Sequence, residues 1–191
     1  SLPPMSAHSE TWPQRHRLSV DDYYRMAESG VLSPDDRTEL IDGEIIDMPP
    51  IGSGHAEVVT VLGQRLVYAA GETCQVRFQA PVRLPPRSEP QPDVALVRSR
   101  PGGYRNAHPG AADVLLVIEV SDSTLRYDLE VKARLYAKHG IPEYWVVDLV
   151  SNRVHRHRQP AADGYGERDE VPGGTLSLPA PLAAISLDGV F

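Results

Sequence analysis

The run Val114-Leu-Leu-Val-Ile-Glu-Val120 constrains this fold more than any other stretch of the chain. A continuous apolar segment of this length, followed by turn residues, predicts a strand buried on both faces of a sheet. Its one polar member is Glu119. A carboxylate there must be paired, metal-bound or neutral, because burying it alone is costly.

The flanking sequence fills in the architecture. Ser19-Val-Asp-Asp22 is a capping-box-like start to a helix that carries Val20, Tyr23, Tyr24 and Ala27 towards a core and stops at Gly30. After Pro34 come a short approach, an Asp42-Gly43 turn and a strand from Glu44 to Met48. Val58, Val61, Leu62 and Leu66 recur at helical spacing between Gly54 and Ala70. The alternation of Val76, Phe78, Ala80, Val82 and Leu84 predicts one half-buried strand. Asp93 opens a further strand over Val94 to Val97, and residues 98–110 read as a mobile surface loop. A helix follows Thr124 to about Lys138, then strands over Tyr144 to Leu149 and Val154 to Arg158, joined by a Ser151-Asn152 turn. Short strand-like pieces close the chain.

Residues 1–17 hold three prolines and no apolar period, which predicts a flexible arm; the residues before Met5 read as an expression remnant. Residues 18–191 then form a single α/β (α+β) domain, a mixed sheet flanked by helices. No apolar run approaches the ~18 residues of a membrane span. With 19 basic and 26 acidic residues the net charge is −7, which excludes a basic coat over the whole surface but leaves room for a local basic groove. The single cysteine, Cys74, excludes an internal disulfide and points to a reducing, cytoplasmic setting.

Asp93, at the mouth of the strand before Val114, is the natural companion of Glu119. If the two strands are neighbours, both acids reach one spot. Lys132 follows 13 residues after Glu119, on the helix stripe shared with Leu129, Ala133 and Tyr136. Two carboxylates and the Val120 backbone carbonyl suit Mg²⁺ or Mn²⁺, and a lysine beside them can orient a water or offset phosphate charge. This combination describes phosphodiester hydrolysis. The plainer alternative is a buried Glu119–Lys132 ion pair with Asp93 capping a turn.

Glu39-Leu-Ile-Asp-Gly-Glu44, Pro92-Asp93-Val, Val117-Ile-Glu119-Val-Ser-Asp-Ser-Thr124, Tyr127-Asp128, Lys132, Tyr136 and Gly140-Ile-Pro-Glu-Tyr-Trp-Val-Val-Asp148 resemble the Uma-type restriction endonuclease family. That family is a bacterial branch, abundant in cyanobacteria, of the PD-(D/E)XK nuclease superfamily. The resemblance runs from about Val20 to Asp148, more weakly into the tail, and implies a restriction-endonuclease-like core. It implies that Asp93 is the first metal-binding acid, Glu119 the second and Lys132 the catalytic lysine. The superfamily often places that lysine two residues after the glutamate, where this chain has Ser121, so the lysine has moved to the following helix. Glu39 matches an acid that often completes the metal shell, and His55 falls where many relatives have histidine. Asp122 departs from the proline common there. The implied activity is Mg²⁺- or Mn²⁺-dependent endonuclease cleavage of nucleic acid, DNA first, by a homodimer with one site per strand. The competing class is a non-catalytic nuclease-fold module that binds protein or nucleic acid, which the acidic net charge favours slightly. A small-phosphoester hydrolase is a third reading.

Other residues have bland alternatives. Glu39 can be a solvated acid, His55 a helix-start residue bonded to a carbonyl, and Tyr136 a packed core tyrosine. His155 and His157 share a strand face but lack a third metal ligand, so an exposed basic strand is the better reading. Arg153, Arg156 and Arg158, with Arg98, Arg100 and Arg105, are either phosphate contacts or isolated surface charges. Ser123 and Thr124 read as helix caps, Tyr144 and Trp145 as core or interface.

Overall fold

A computed structural model describes residues 11–191, so part of the expected arm, residues 1–10, lies outside the described residues. Residues 11–17 run without helix or strand, and Arg15 and Arg17 reach Glu44 at 3.1 and 2.7 Å. Helix α1 (Val20–Glu28) begins with Ser19, whose hydroxyl accepts from the Asp22 N–H while Asp22 accepts from the Ser19 N–H. Val20 is buried, whereas Ala27 faces solvent.

The approach after Pro34 is itself a strand. β1 (Thr38–Ile41) and β2 (Glu44–Asp47) form a separate two-stranded hairpin. Asp42 and Gly43 both take positive φ, the backbone that a two-residue hairpin turn demands. A side chain on Gly43 would also meet Arg17 at 2.8 Å, because residues 17 and 18 lie against the turn.

The main sheet has six strands in the order β3 (Cys74–Phe78), β4 (Val94–Arg98), β5 (Val114–Ser121), β6 (Glu143–Asp148), β7 (Arg153–Ala161) and β8 (Gly164–Val171). Only β5 and β6 are parallel, so the sheet is mixed as expected. β5 is buried along its whole length. Leu116, Ile118 and Val120 pack on one face with Val58, Leu62 and Leu66 of α2 (Ser53–Ala70) and with the small hairpin of β9 (Thr175–Ser177) and β10 (Ala184–Ser186). Val117 packs on the other with Ala133 and Tyr136.

Three local readings need correction. The strand from Val76 ends at Phe78, because Gln79 takes positive φ and the chain leaves the sheet. Val76 then packs with the α2 core, while Val82 and Leu84 are buried in the opposite one. Within the 98–110 loop, Tyr104 is buried and donates to the Arg98 carbonyl. The helix after Thr124 is not uniform: α3 (Leu125–Tyr127) and α4 (Ala133–Lys138) flank a wide turn, Asp128–Lys132, where the Ala133 N–H reaches back five residues to the Asp128 carbonyl. Such wide turns recur at functional sites.

Candidate active site

The antiparallel β4–β5 pairing sets the site. Val94 lies opposite Ile118, so Asp93 comes beside Glu119 one step further on. The Val120 N–H donates to Asp93 Oδ2 at 2.8 Å, past the end of β4. A residue's N–H and C=O leave a strand on the same side, so the Val120 carbonyl is turned to the same spot. Asp93 Oδ2 also lies 3.1 Å from His55 Nε2, at the start of α2. That bond to Asp93 holds the His55 imidazolium above its ordinary range, against the effect of burial.

Alternation sends Glu119 to the face covered by the Asp128–Lys132 turn. Lys132 Nζ donates to Glu119 Oε1 at 2.8 Å and lies 2.9 Å from Glu39 Oε1 on β1. The Tyr136 hydroxyl donates to the same Glu119 oxygen at 3.0 Å, and Glu39 Oε2 accepts from the Gln91 N–H. All of these acids and the lysine are buried. Burial pushes Glu119 up while the lysine charge pulls it back. Burial works against the ammonium, but Glu119, Glu39 and Asp128 more than offset it, so Lys132 stays protonated.

Glu39, His55, Asp93, Glu119, Val120 and Lys132 all line one cavity of about 760 Å³, while Tyr136 supports it from the core. Asp128 lines it too. It is the site residue that sequence reasoning missed: the resemblance includes it but assigns it no role. Its Oδ2 accepts from the hydroxyls of Ser121 and Thr124, both at 2.7 Å, and burial raises its pKa. Thr124 therefore holds an acid rather than capping the helix. Asp128 stands four residues before Lys132, a spacing that puts both on one helix face and was the available signal.

Glu39, Glu119 and Asp128 thus face the Lys132 ammonium, and Asp93 faces the His55 imidazole. Among the described residues no hydrogen bond reaches Asp93 Oδ1 or Glu119 Oε2. No three His, Cys, Asp or Glu side chains converge to hold an ion by themselves among the described residues. Two carboxylate oxygens, a backbone carbonyl and waters remain, a donor set that fits Mg²⁺ or Mn²⁺.

The other candidates lie elsewhere. His157 is buried beside Tyr144 and Tyr165, with Nδ1 on the Tyr144 carbonyl at 3.1 Å. His155 pairs with Asp148 at 3.0 Å, so the strand is not the exposed basic one expected. Arg153, Arg156 and Arg158 are bound to Glu170, Asp169 and Glu167 on β8. Arg98 and Arg100 bond loop carbonyls, and Arg105 lines a separate shallow pocket. Tyr144 and Trp145 are core residues.

A mixed sheet with paired acids at the β4–β5 junction and a lysine from the following helix defines a nuclease-like α/β protein. The chain belongs to the Uma2 family, described as "Putative restriction endonuclease", whose model matches residues 20–188. Its fold resembles the crystal structure of a "putative nuclease belonging to DUF820" from Anabaena variabilis ATCC 29413, with a TM-score of 0.65 at 14% identity, over 86% of this chain and 89% of that one. No curated protein matches the chain in sequence. No helix among the described residues is long and apolar enough to cross a membrane.

Proposed function

We propose that this chain is a metal-dependent endonuclease that hydrolyses phosphodiester bonds in nucleic acid, with DNA the first substrate to test. The observation that supports it best is the buried Lys132, held between Glu39 and Glu119 beside Asp93 in one open cavity. A Mg²⁺ or Mn²⁺ ion on Asp93, Glu119 and the Val120 carbonyl would supply an activated water and neutralise phosphate charge. Lys132 presents its ammonium towards the phosphate oxygens or the attacking water, and Glu39 and Glu119 fix where that ammonium points. Tyr136 locks Glu119 from the core side, and His55 and the Val120 N–H orient Asp93. Each chain carries one complete set of these groups. One copy can therefore cut one strand, and two copies are needed only for a double-strand break.

Nicking of plasmid and of circular single-stranded DNA by the purified protein in Mn²⁺ tests this reading. Lys132→Ala and Glu119→Ala are each expected to slow nicking by about 10²–10³-fold. Cleavage that survives both substitutions would come from a contaminant and would leave the binding-module reading in place.

A further inference from the structure

We propose that the strand entering this site is single-stranded, and that the cavity mouth holds it by its bases rather than by tracking its backbone. The inference rests on the nuclease reading above and names the substrate form.

The charge at the mouth carries the argument. Duplex DNA presents a negative charge every ~1.7 Å of axis, and proteins that grip it neutralise many phosphates with lysine and arginine. The exposed charged residues lining this cavity are instead Asp47, Glu57 and Asp122, against Arg37. Among the described residues Arg37 is thus the one exposed cation of this lining, and Lys132 lies buried on the floor between Glu39 and Glu119 rather than at the mouth. The arginines of β7 are tied to the acids of β8 and offer no compensating track.

What the rim does offer is apolar surface. Ile46, Met48, Pro49, Pro50 and Ile51, from β2 and the loop into α2, line the cavity together with Phe191. Ile51 and Phe191 remain 42% and 40% exposed, while Asp93, Glu119 and Lys132 are buried beneath. This apolar rim offers contact to unpaired bases, while one phosphodiester reaches down to Lys132 and the acids on the floor. In a duplex those base faces are already stacked on one another and cannot make this contact.

The test is fluorescence anisotropy with a labelled mixed-sequence 12-mer, single-stranded or annealed, in buffer containing Ca²⁺. The single strand is expected to bind at least about tenfold more tightly than the duplex. Replacing the bases by tetrahydrofuran spacers is expected to weaken it by about tenfold, the size of one lost stacking contact. Ile51→Ser is expected to have a similar effect, while Val67→Ser, 50% exposed on α2 and outside the cavity lining, leaves binding unchanged. Between 50 and 200 mM salt the loss is expected to stay within about tenfold, since few phosphates are neutralised. Equal binding of duplex, equal binding of the base-free strand, or a salt loss near 10³-fold each overturns the inference. Failure of the nuclease reading looks different: the single strand binds with the expected base dependence but is not cut in Mn²⁺, which supports the mouth assignment and removes the hydrolytic one.

Discussion

Lys132 and Glu39 are 93 residues apart in sequence, yet the ammonium lies 2.9 Å from Glu39 Oε1 in the buried centre of the site. The contact ties the β1–β2 hairpin to the helix that follows β5, so one ion pair joins the site to the fold. Removing the ammonium would leave Glu39 and Glu119 buried without their shared partner. Lys132→Met is therefore expected to cost about 3–5 kcal/mol of stability in urea unfolding at pH 7. Glu39→Gln keeps a hydrogen-bond acceptor for Lys132 and is expected to unfold the protein less while still slowing cleavage. Equal stability of Lys132→Met and the parent would show that the pair is not a structural tie.

Asp128 separates holding from reacting. Its carboxylate anchors two hydroxyls and adds negative charge to the cavity. Asp128→Asn keeps an acceptor oxygen and removes the charge, so thermal stability is expected to stay close to that of the parent. Mn²⁺ affinity by calorimetry is expected to fall by about tenfold, the lower end of what residues supporting metal ligands contribute. Asp128→Ala strands the Ser121 and Thr124 hydroxyls as well, and is expected to cost about 1–3 kcal/mol.

The parts of this fold legible in the sequence are those with an uninterrupted period. β5 announced itself by its apolar run broken only at Glu119, α2 by its apolar spacing, and α1 by its cap. The strand predicted through Leu84 failed because alternation continues in sequence after Gln79 has turned the chain towards the other core. β1 was missed because its residues read as a charged approach, although Glu39 and Thr38 are buried. The neighbourhood of Asp93, Glu119 and Lys132 could be foreseen from strand adjacency and helix facing. Asp128 left only its four-residue spacing from Lys132 as a signal, and Thr124 reads as a cap until its hydroxyl is seen on that carboxylate.

The arginines of β7 show how composition misleads about binding. Read as a basic stripe they invite phosphate, but Arg156 forms two bonds to Asp169, and Arg158 and Arg153 bind Glu167 and Glu170. Arg156→Ala is expected to lower stability by about 0.5–1 kcal/mol and to change oligonucleotide affinity by less than about twofold. A large affinity loss in the anisotropy assay would return this strand to the nucleic-acid interface.

His157 sets a pH limit that is independent of the site. Its ring lies 5.4 Å from that of Tyr144 and 5.6 Å from that of Tyr165, with Nδ1 bonded to the Tyr144 carbonyl. Burial lowers its pKa from the ordinary 6.5 to about 4. The folded imidazole therefore resists a proton that the unfolded chain accepts readily. Its contribution is complete above pH 6.5 and is lost as the pH falls towards 4, where about 3 kcal/mol has gone. Carboxyls raised by burial, Glu89 and Glu143 among them, act in the opposite sense as the pH falls, so the useful quantity is a difference. His157→Phe keeps an aromatic ring between the tyrosines and removes the titration. Urea unfolding of parent and variant at pH 4.5, 5.5 and 7 is expected to show the stability gap moving in favour of the variant as pH falls. A gap that stays constant across that range would mean the imidazole titrates alike in the folded and unfolded chains.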